Sequence, residues 1–133
     1  MNATVITFGT FDLLHIGHIN ILRRAKELGD FLIVGVSTDE LNFAKKAAYP
    51  VYNQEDRLKI IQSIRYVDRV FFEESLEQKK EYILKFKADV LVMGDDWAGK
   101  FDEFKDICRV TYLPRTENIS STALKQEISR NFR

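Results

Sequence analysis

Short apolar runs alternate with helical patterns along the whole chain. Ala3 to Phe8 reads as a first strand, and Gly17 to Leu28 as a helix that Gly29 stops, with Ile21, Ala25 and Leu28 on one face. Phe31 to Val36 is apolar without interruption, which predicts a strand buried on both faces. Leu41 to Tyr52 is less regular and reads as a loop or short irregular helix. Asn53 is placed to cap a helix from Gln54 to Arg65, with Leu58, Ile61 and Ile64 inward. Arg69 to Phe72 predicts the third strand. Ser75 and Gln78 have capping-box spacing and open a helix to Lys87, with Tyr82, Ile83 and Phe86 as its buried face. Val90 to Met93 and Arg109 to Leu113 predict the last strands, with a short helix at Phe101 to Ile107 between them. Ser120 or Ser121 caps a final helix ending near Asn131.

Strands that alternate with helices imply an α/β fold: a Rossmann-like, doubly wound sheet of about five parallel strands with helices on both faces. At 133 residues the chain reads as one domain, 1–133. Ligands of such sheets lie beyond the C-terminal strand ends. Four candidate segments fall there: Gly9 to His18, Lys45-Lys46, Gly94 to Trp97, and Arg115 to Thr122.

Composition narrows the class. Lysine plus arginine and aspartate plus glutamate both number 20, so there is no electrostatic footprint for nucleic acid. No apolar run approaches a membrane span, and no basic-then-apolar leader opens the chain. The lone Cys108 has no partner for an internal disulfide, which fits a reducing cytoplasm, and its apolar surroundings suit a buried thiol.

Both histidines of the chain, His15 and His18, sit in one glycine-containing turn between the first strand and the first helix. Free N–H groups and the positive end of a helix dipole make such a turn an anion site, and imidazoles add donors. Residue types alone leave two other readings open. One is an ordinary loop with surface histidines; the other is a zinc site, although no further Cys or His stands nearby to complete it. Asp12 is a carboxylate suited to a magnesium ion carried by nucleotide phosphates.

The segment Gly9-Thr10-Phe11-Asp12-Leu13-Leu14-His15-Ile16-Gly17-His18 resembles the signature of the cytidylyltransferases in the HxGH nucleotidyltransferase superfamily. Arg65-Tyr66-Val67-Asp68, Val92 to Asp102 with its Gly94-Asp95-Asp96-Trp97, and Tyr112 to Glu117 are similar to the members that act on glycerol 3-phosphate. The likeness runs from about Val5 to Ile128.

The resemblance implies transfer of CMP from CTP to sn-glycerol 3-phosphate by direct in-line attack, in a cytoplasmic homodimer, with Mg²⁺ arriving on CTP. Neither nucleic acid nor membrane is implied as a partner, and the CDP-glycerol product would feed teichoic acid or capsular polysaccharide. The same transfer to another phospho-polyol, ATP as donor, and a nucleotide-binding module without turnover are the alternatives.

By that resemblance His15, His18, Lys45 and Arg115 are catalytic. Thr10, Phe11, Ile16, Gly17, Lys46, Thr116, Glu117, Asn118, Ile119, Ser120, Ser121 and Thr122 meet the nucleotide together with the two histidines and Arg115. Lys45, Arg65, Lys79, Asp96 and Trp97 meet the acceptor. Two features depart from the family pattern. Lys45 and Lys46 are adjacent where the family separates its lysines by one residue, and Asn118 stands where the family has glycine. Asparagine tolerates a left-handed backbone, so that turn is expected to survive. Arg57 reads as a solvated helix residue.

Overall fold

The computed structural model describes residues 2–131. Five strands, β1 (Thr4–Gly9), β2 (Phe31–Ser37), β3 (Arg69–Glu73), β4 (Val90–Gly94) and β5 (Arg109–Leu113), form one parallel sheet in the order β3-β2-β1-β4-β5. The helices are α1 (Ile16–Glu27), α2 (Asp39–Lys46), α3 (Gln54–Gln62), α4 (Lys79–Lys85) and α5 (Ser121–Asn131). Single turns of 3-10 helix at Asp95–Trp97 and Asp102–Asp106 link β4 to β5.

Strand alternation divides the core in two. Val5, Leu32, Val34, Val36, Val90 and Val92 face Leu22 and Ala25 of α1 and Ile61 of α3. Ile6, Phe8, Ile33, Leu91 and Met93 face Ile83 of α4, with Phe71, Tyr82, Phe86, Phe101 and Phe104 packed around them. The uninterrupted apolar run of β2 is therefore buried on both faces, as its sequence predicts.

Several local expectations are corrected. The residues after β2 form a regular helix, α2, because the Thr38 side chain accepts the Leu41 N–H at its start. Helix α3 ends at Gln62, so Arg65 lies in the turn beyond it. No capping box opens α4: Ser75 bonds Glu77 instead, and the helix starts later, at Lys79. Gly29 is not a left-handed helix stop, since the positive-φ glycine among the described residues is Gly99. At Gly29 a Cβ would stand 2.6 Å from the Ala3 carbonyl oxygen, so the requirement there is close passage of two backbone segments.

The strand order reverses between β1 and β4. Loops leaving their C-terminal ends diverge to opposite sides and leave a crevice, the place where open α/β sheets bind ligands.

Candidate active site

That crevice is a cleft of about 360 Å³, lined from four strand ends. The β1–α1 turn supplies Thr10, Phe11, His15, Gly17 and His18; α2 and the segment after it supply Lys46, Tyr49 and Pro50. Asp96 and Trp97 come from beyond β4, and Arg115, Thr116 and Ile119 to Thr122 from beyond β5.

The two histidines form its tightest feature. Gly17 N–H donates to His15 Nδ1 at 3.0 Å, and His15 N–H donates to His18 Nδ1 at 3.1 Å. The rings stack with centroids 3.8 Å apart, and Phe11 meets His18 edge-on at 5.5 Å. An Nδ1 that accepts carries no proton, so each neutral imidazole keeps its hydrogen on Nε2. Burial, then the positive charge of Arg115, holds His15 below the ordinary histidine range. Burial, then His15, pushes His18 down to about 4 against the opposing Asp12 charge. At neutral pH the turn therefore presents two uncharged donors.

The ring of His15 already excludes a side chain at Gly17: a Cβ there would stand 2.8 Å from His15 Cε1 and 2.9 Å from Nδ1. Phe11 and Leu13 adopt left-handed φ of 55° and 49°, which turns the chain sharply into α1. Asn118 has φ 64°, the conformation expected of it in place of glycine. Ser120 accepts the Ala123 N–H at 3.0 Å and caps α5, so the N-termini of α1 and α5 both meet the cleft. Thr116 accepts from Asn20 at 3.0 Å, which ties the β5 loop to α1. The Thr10 hydroxyl donates to Asn42 Oδ1 at 2.7 Å and lies 3.2 Å from the Ser37 hydroxyl, so it ties the β1–α1 turn to α2 and the end of β2.

Two buried hubs brace these walls, and sequence reasoning missed both roles. Asp12, 3% exposed, accepts the N–H groups of Val51 at 2.7 Å, Tyr52 at 3.0 Å and Leu13 at 3.1 Å, and Lys125 Nζ at 3.0 Å. Burial raises its pKa, but the N–H groups of Tyr52 and Val51 and then Lys125 outweigh it, for a net lowering. Its oxygens are spent on these partners, which corrects the expectation that Asp12 helps to hold magnesium. Among the described residues no group of three or more His, Cys, Asp or Glu is placed to hold a metal ion.

Arg57 is the second hub and is wholly buried, not solvated. It donates to the carbonyls of Thr10 and Ser37 at 2.8 Å and of Tyr52 at 3.0 Å, and pairs with Asp39 at 2.7 Å. Lys125 also lines the cleft. Its one sequence signal is the i, i+4 spacing from Ser121 on the same helix face.

Not every expected residue reaches the cleft. Lys46 lines it and Lys45 does not. Lys45 is an exposed residue, yet desolvation lowers its ammonium from the ordinary lysine range; Glu73 opposes this, and Lys46, Lys79 and Arg57 add to it. Lys79 is 3% exposed and paired with Glu73 behind Phe8. Ile16 points to solvent, 57% exposed, and Glu117 and Asn118 border a shallow neighbouring depression with Arg115. Arg65 follows α3 at the opposite, N-terminal rim of the sheet, near Tyr66, because α3 runs antiparallel to the strands. Within one chain it is not brought to the cleft.

The profile of the family described as cytidylyltransferase-like matches residues 6–127. The chain belongs to this family. A glycerol-3-phosphate cytidylyltransferase of Bacillus subtilis is 60% identical over 94% of this chain and 96% of its own length. One of Staphylococcus aureus is 56% identical over 93% of each chain. Among solved structures, a lipopolysaccharide core biosynthesis protein of Thermoplasma volcanium superposes with a TM-score of 0.73 at 25% identity, covering 88% of this chain and 98% of that one. As a cytidylyltransferase-like chain it is a nucleotidyltransferase.

Proposed function

We infer that this chain transfers CMP from CTP to sn-glycerol 3-phosphate, forming CDP-glycerol and pyrophosphate. The donor–acceptor pair is that of relatives 51–60% identical over nearly the whole chain. The observation that carries the chemistry is the pair of stacked imidazoles, each locked with Nε2–H as its free donor at the N-terminus of α1.

An oxygen of the acceptor phosphate attacks the α-phosphorus of CTP, and the bond from that phosphorus to the bridging oxygen of pyrophosphate breaks. A phosphate anion is already nucleophilic at neutral pH, so no residue need take a proton. The protein's task is to hold two anions in line and to stabilise charge that grows on the phosphoryl oxygens. In this reading His15, His18 and Arg115 face the triphosphate with Gly17, Thr10, Phe11 and Lys46. Thr116 to Thr122 wrap the nucleotide from the far side. Asp96 and Trp97 border the acceptor, with Lys45 beside the cleft and Lys79 behind its wall. The lining is rich in donors and, among the described residues, holds no carboxylate cage, so Mg²⁺ suits the site as an ion carried by CTP phosphates rather than by the protein; bound there it would supply neutralisation of the pyrophosphate leaving group.

We place the reaction in the cytoplasm, where CTP is made, and in a homodimer; sedimentation at the mass of one chain would contradict the dimer. Among the described residues no helix is long and apolar enough to cross a membrane. The deciding experiment is pyrophosphate release with CTP or ATP against a panel of phosphorylated polyols. CTP with glycerol 3-phosphate is expected to give the highest kcat/KM. Preference for ATP, preference for another acceptor, or binding of CTP without product would each overturn the corresponding part of the reading.

A further inference from the structure

We propose that Glu73 is a positioning residue for the acceptor: its buried carboxylate is the counter-charge that fixes the Lys79 ammonium directly behind the wall of the nucleotide cleft. The inference rests on the reaction inferred above.

Glu73 ends β3 at the C-terminal rim of the sheet, opposite Ser37 of β2. Its carbonyl accepts the Thr38 N–H at 3.0 Å, which anchors it to the start of α2, the helix that ends in Lys45 and Lys46. The side chain is 2% exposed, and its Oε2 lies 2.5 Å from Lys79 Nζ. That ammonium sits over the faces of Phe8 at 4.3 Å and Phe101 at 5.3 Å. Phe8 also lines the cleft, so the ion pair lies directly behind the wall of the site.

Stability alone does not account for such a pair. Two charges taken out of water regain little beyond their desolvation cost, and apolar side chains of similar size would hold α4 to the sheet as well. What the carboxylate adds is its field. The groups acting on Lys45 are Lys46 on its own helix, Arg57 on α3, Lys79 on α4 and Glu73 on β3, so Glu73 is the one negative charge among three positive ones. Lys45 makes no ion pair among the described residues. With the carboxylate removed, Lys79 loses the contact that sets its position, and Lys45 is left among like charges that favour loss of its proton. Both effects fall on the side of the cleft where a phosphate dianion has to be received, and neither falls on the paired imidazoles.

The test is Glu73→Gln, followed as kcat/KM for glycerol 3-phosphate at saturating CTP across about pH 6 to pH 10, with the KM of CTP measured separately. Expected is a roughly tenfold higher acceptor KM, a CTP KM within about twofold of wild type, and an alkaline limb moved to lower pH. The double variant Glu73→Gln/Lys79→Met removes both buried charges at similar volume and keeps the measurement open should the single variant not fold. In it the acceptor KM is expected to stay high, because the Lys79 ammonium is gone, while the alkaline limb moves part of the way back, because the positive charge of Lys79 no longer acts on Lys45. Recovery of the wild-type acceptor KM in the double variant would reduce the pair to a structural contact and overturn the proposal. Equal rises in both KM values for Glu73→Gln would overturn it too. A wild-type chain that forms no CDP-glycerol fails the reaction itself, whereas an active wild type with an unchanged Glu73→Gln fails only the role given to Glu73.

Discussion

The two sides of the cleft are built on different physics. The turn that holds His15 and His18 closes on itself: every contact that sets the rings lies within a few residues, from Phe11 to His18, and the donors it offers are neutral. The opposite side gathers Lys45, Lys46, Lys79 and Glu73 from three separate elements and works with full charges. A neutral, locally fixed donor tolerates burial and needs no partner far away. A buried cation does need one, and Glu73 comes from the end of a different strand. Damage to the first side should therefore show in turnover with the fold kept, and damage to the second in stability as well.

The largest expected effect follows from that difference. Lys79→Ala strands the Glu73 carboxylate in the interior, at a cost of about 3–5 kcal/mol, and urea unfolding should show the loss together with a raised acceptor KM. A drop below about 1 kcal/mol would mean that water reaches Glu73 freely. On the other side, His15→Ala or His18→Ala removes one donor to the developing charge. Each should lower kcat about 10²–10³-fold, while circular dichroism shows the folded spectrum. Wild-type turnover in either variant would take the turn out of the chemistry.

Acid separates the two sides without mutation. The pKa of His18 is about 4 in the fold, against 6.5 for an ordinary histidine, so the unfolded chain takes up a proton first. The stability due to neutral His18 is complete above pH 6.5 and declines as pH falls toward 4. Between pH 7 and pH 5 the loss is about 2 kcal/mol, with His15 acting in the same direction. Unfolding free energies that are equal at the two pH values would contradict the neutral pair. The smallest effect is expected of Lys125→Met. Asp12 keeps its three N–H partners, so the fold should hold and the KM of CTP rise about three- to tenfold. An unchanged KM would make Lys125 a partner of Asp12 alone.

What the sequence reveals follows the same division. The HxGH turn, the caps at Asn53 and Ser120, the left-handed Asn118 and the two-faced burial of β2 are set by neighbours in the chain, and local pattern exposes them. Arg57 gives no such sign. Its partners Thr10, Ser37, Asp39 and Tyr52 lie up to 47 positions away, and on a helix it reads like any solvated charge. Helix α2 is hidden because its inward residue is Asn42, which bonds Ser37, Thr38 and Thr10, so the apolar period is missing where the helix is buried. Lys79 and Arg65 show the limit from the other direction. Sequence likeness places both beside the acceptor, while the structure buries one against Glu73 and sets the other on the far rim of its own chain.

The central claim is that the paired imidazoles receive the triphosphate. A crystal structure with CTP bound tests it directly. The account predicts triphosphate oxygens within hydrogen-bond reach of Nε2 of both His15 and His18, at the N-terminus of α1. A triphosphate seated elsewhere, or one that meets the rings through Nδ1, would contradict it.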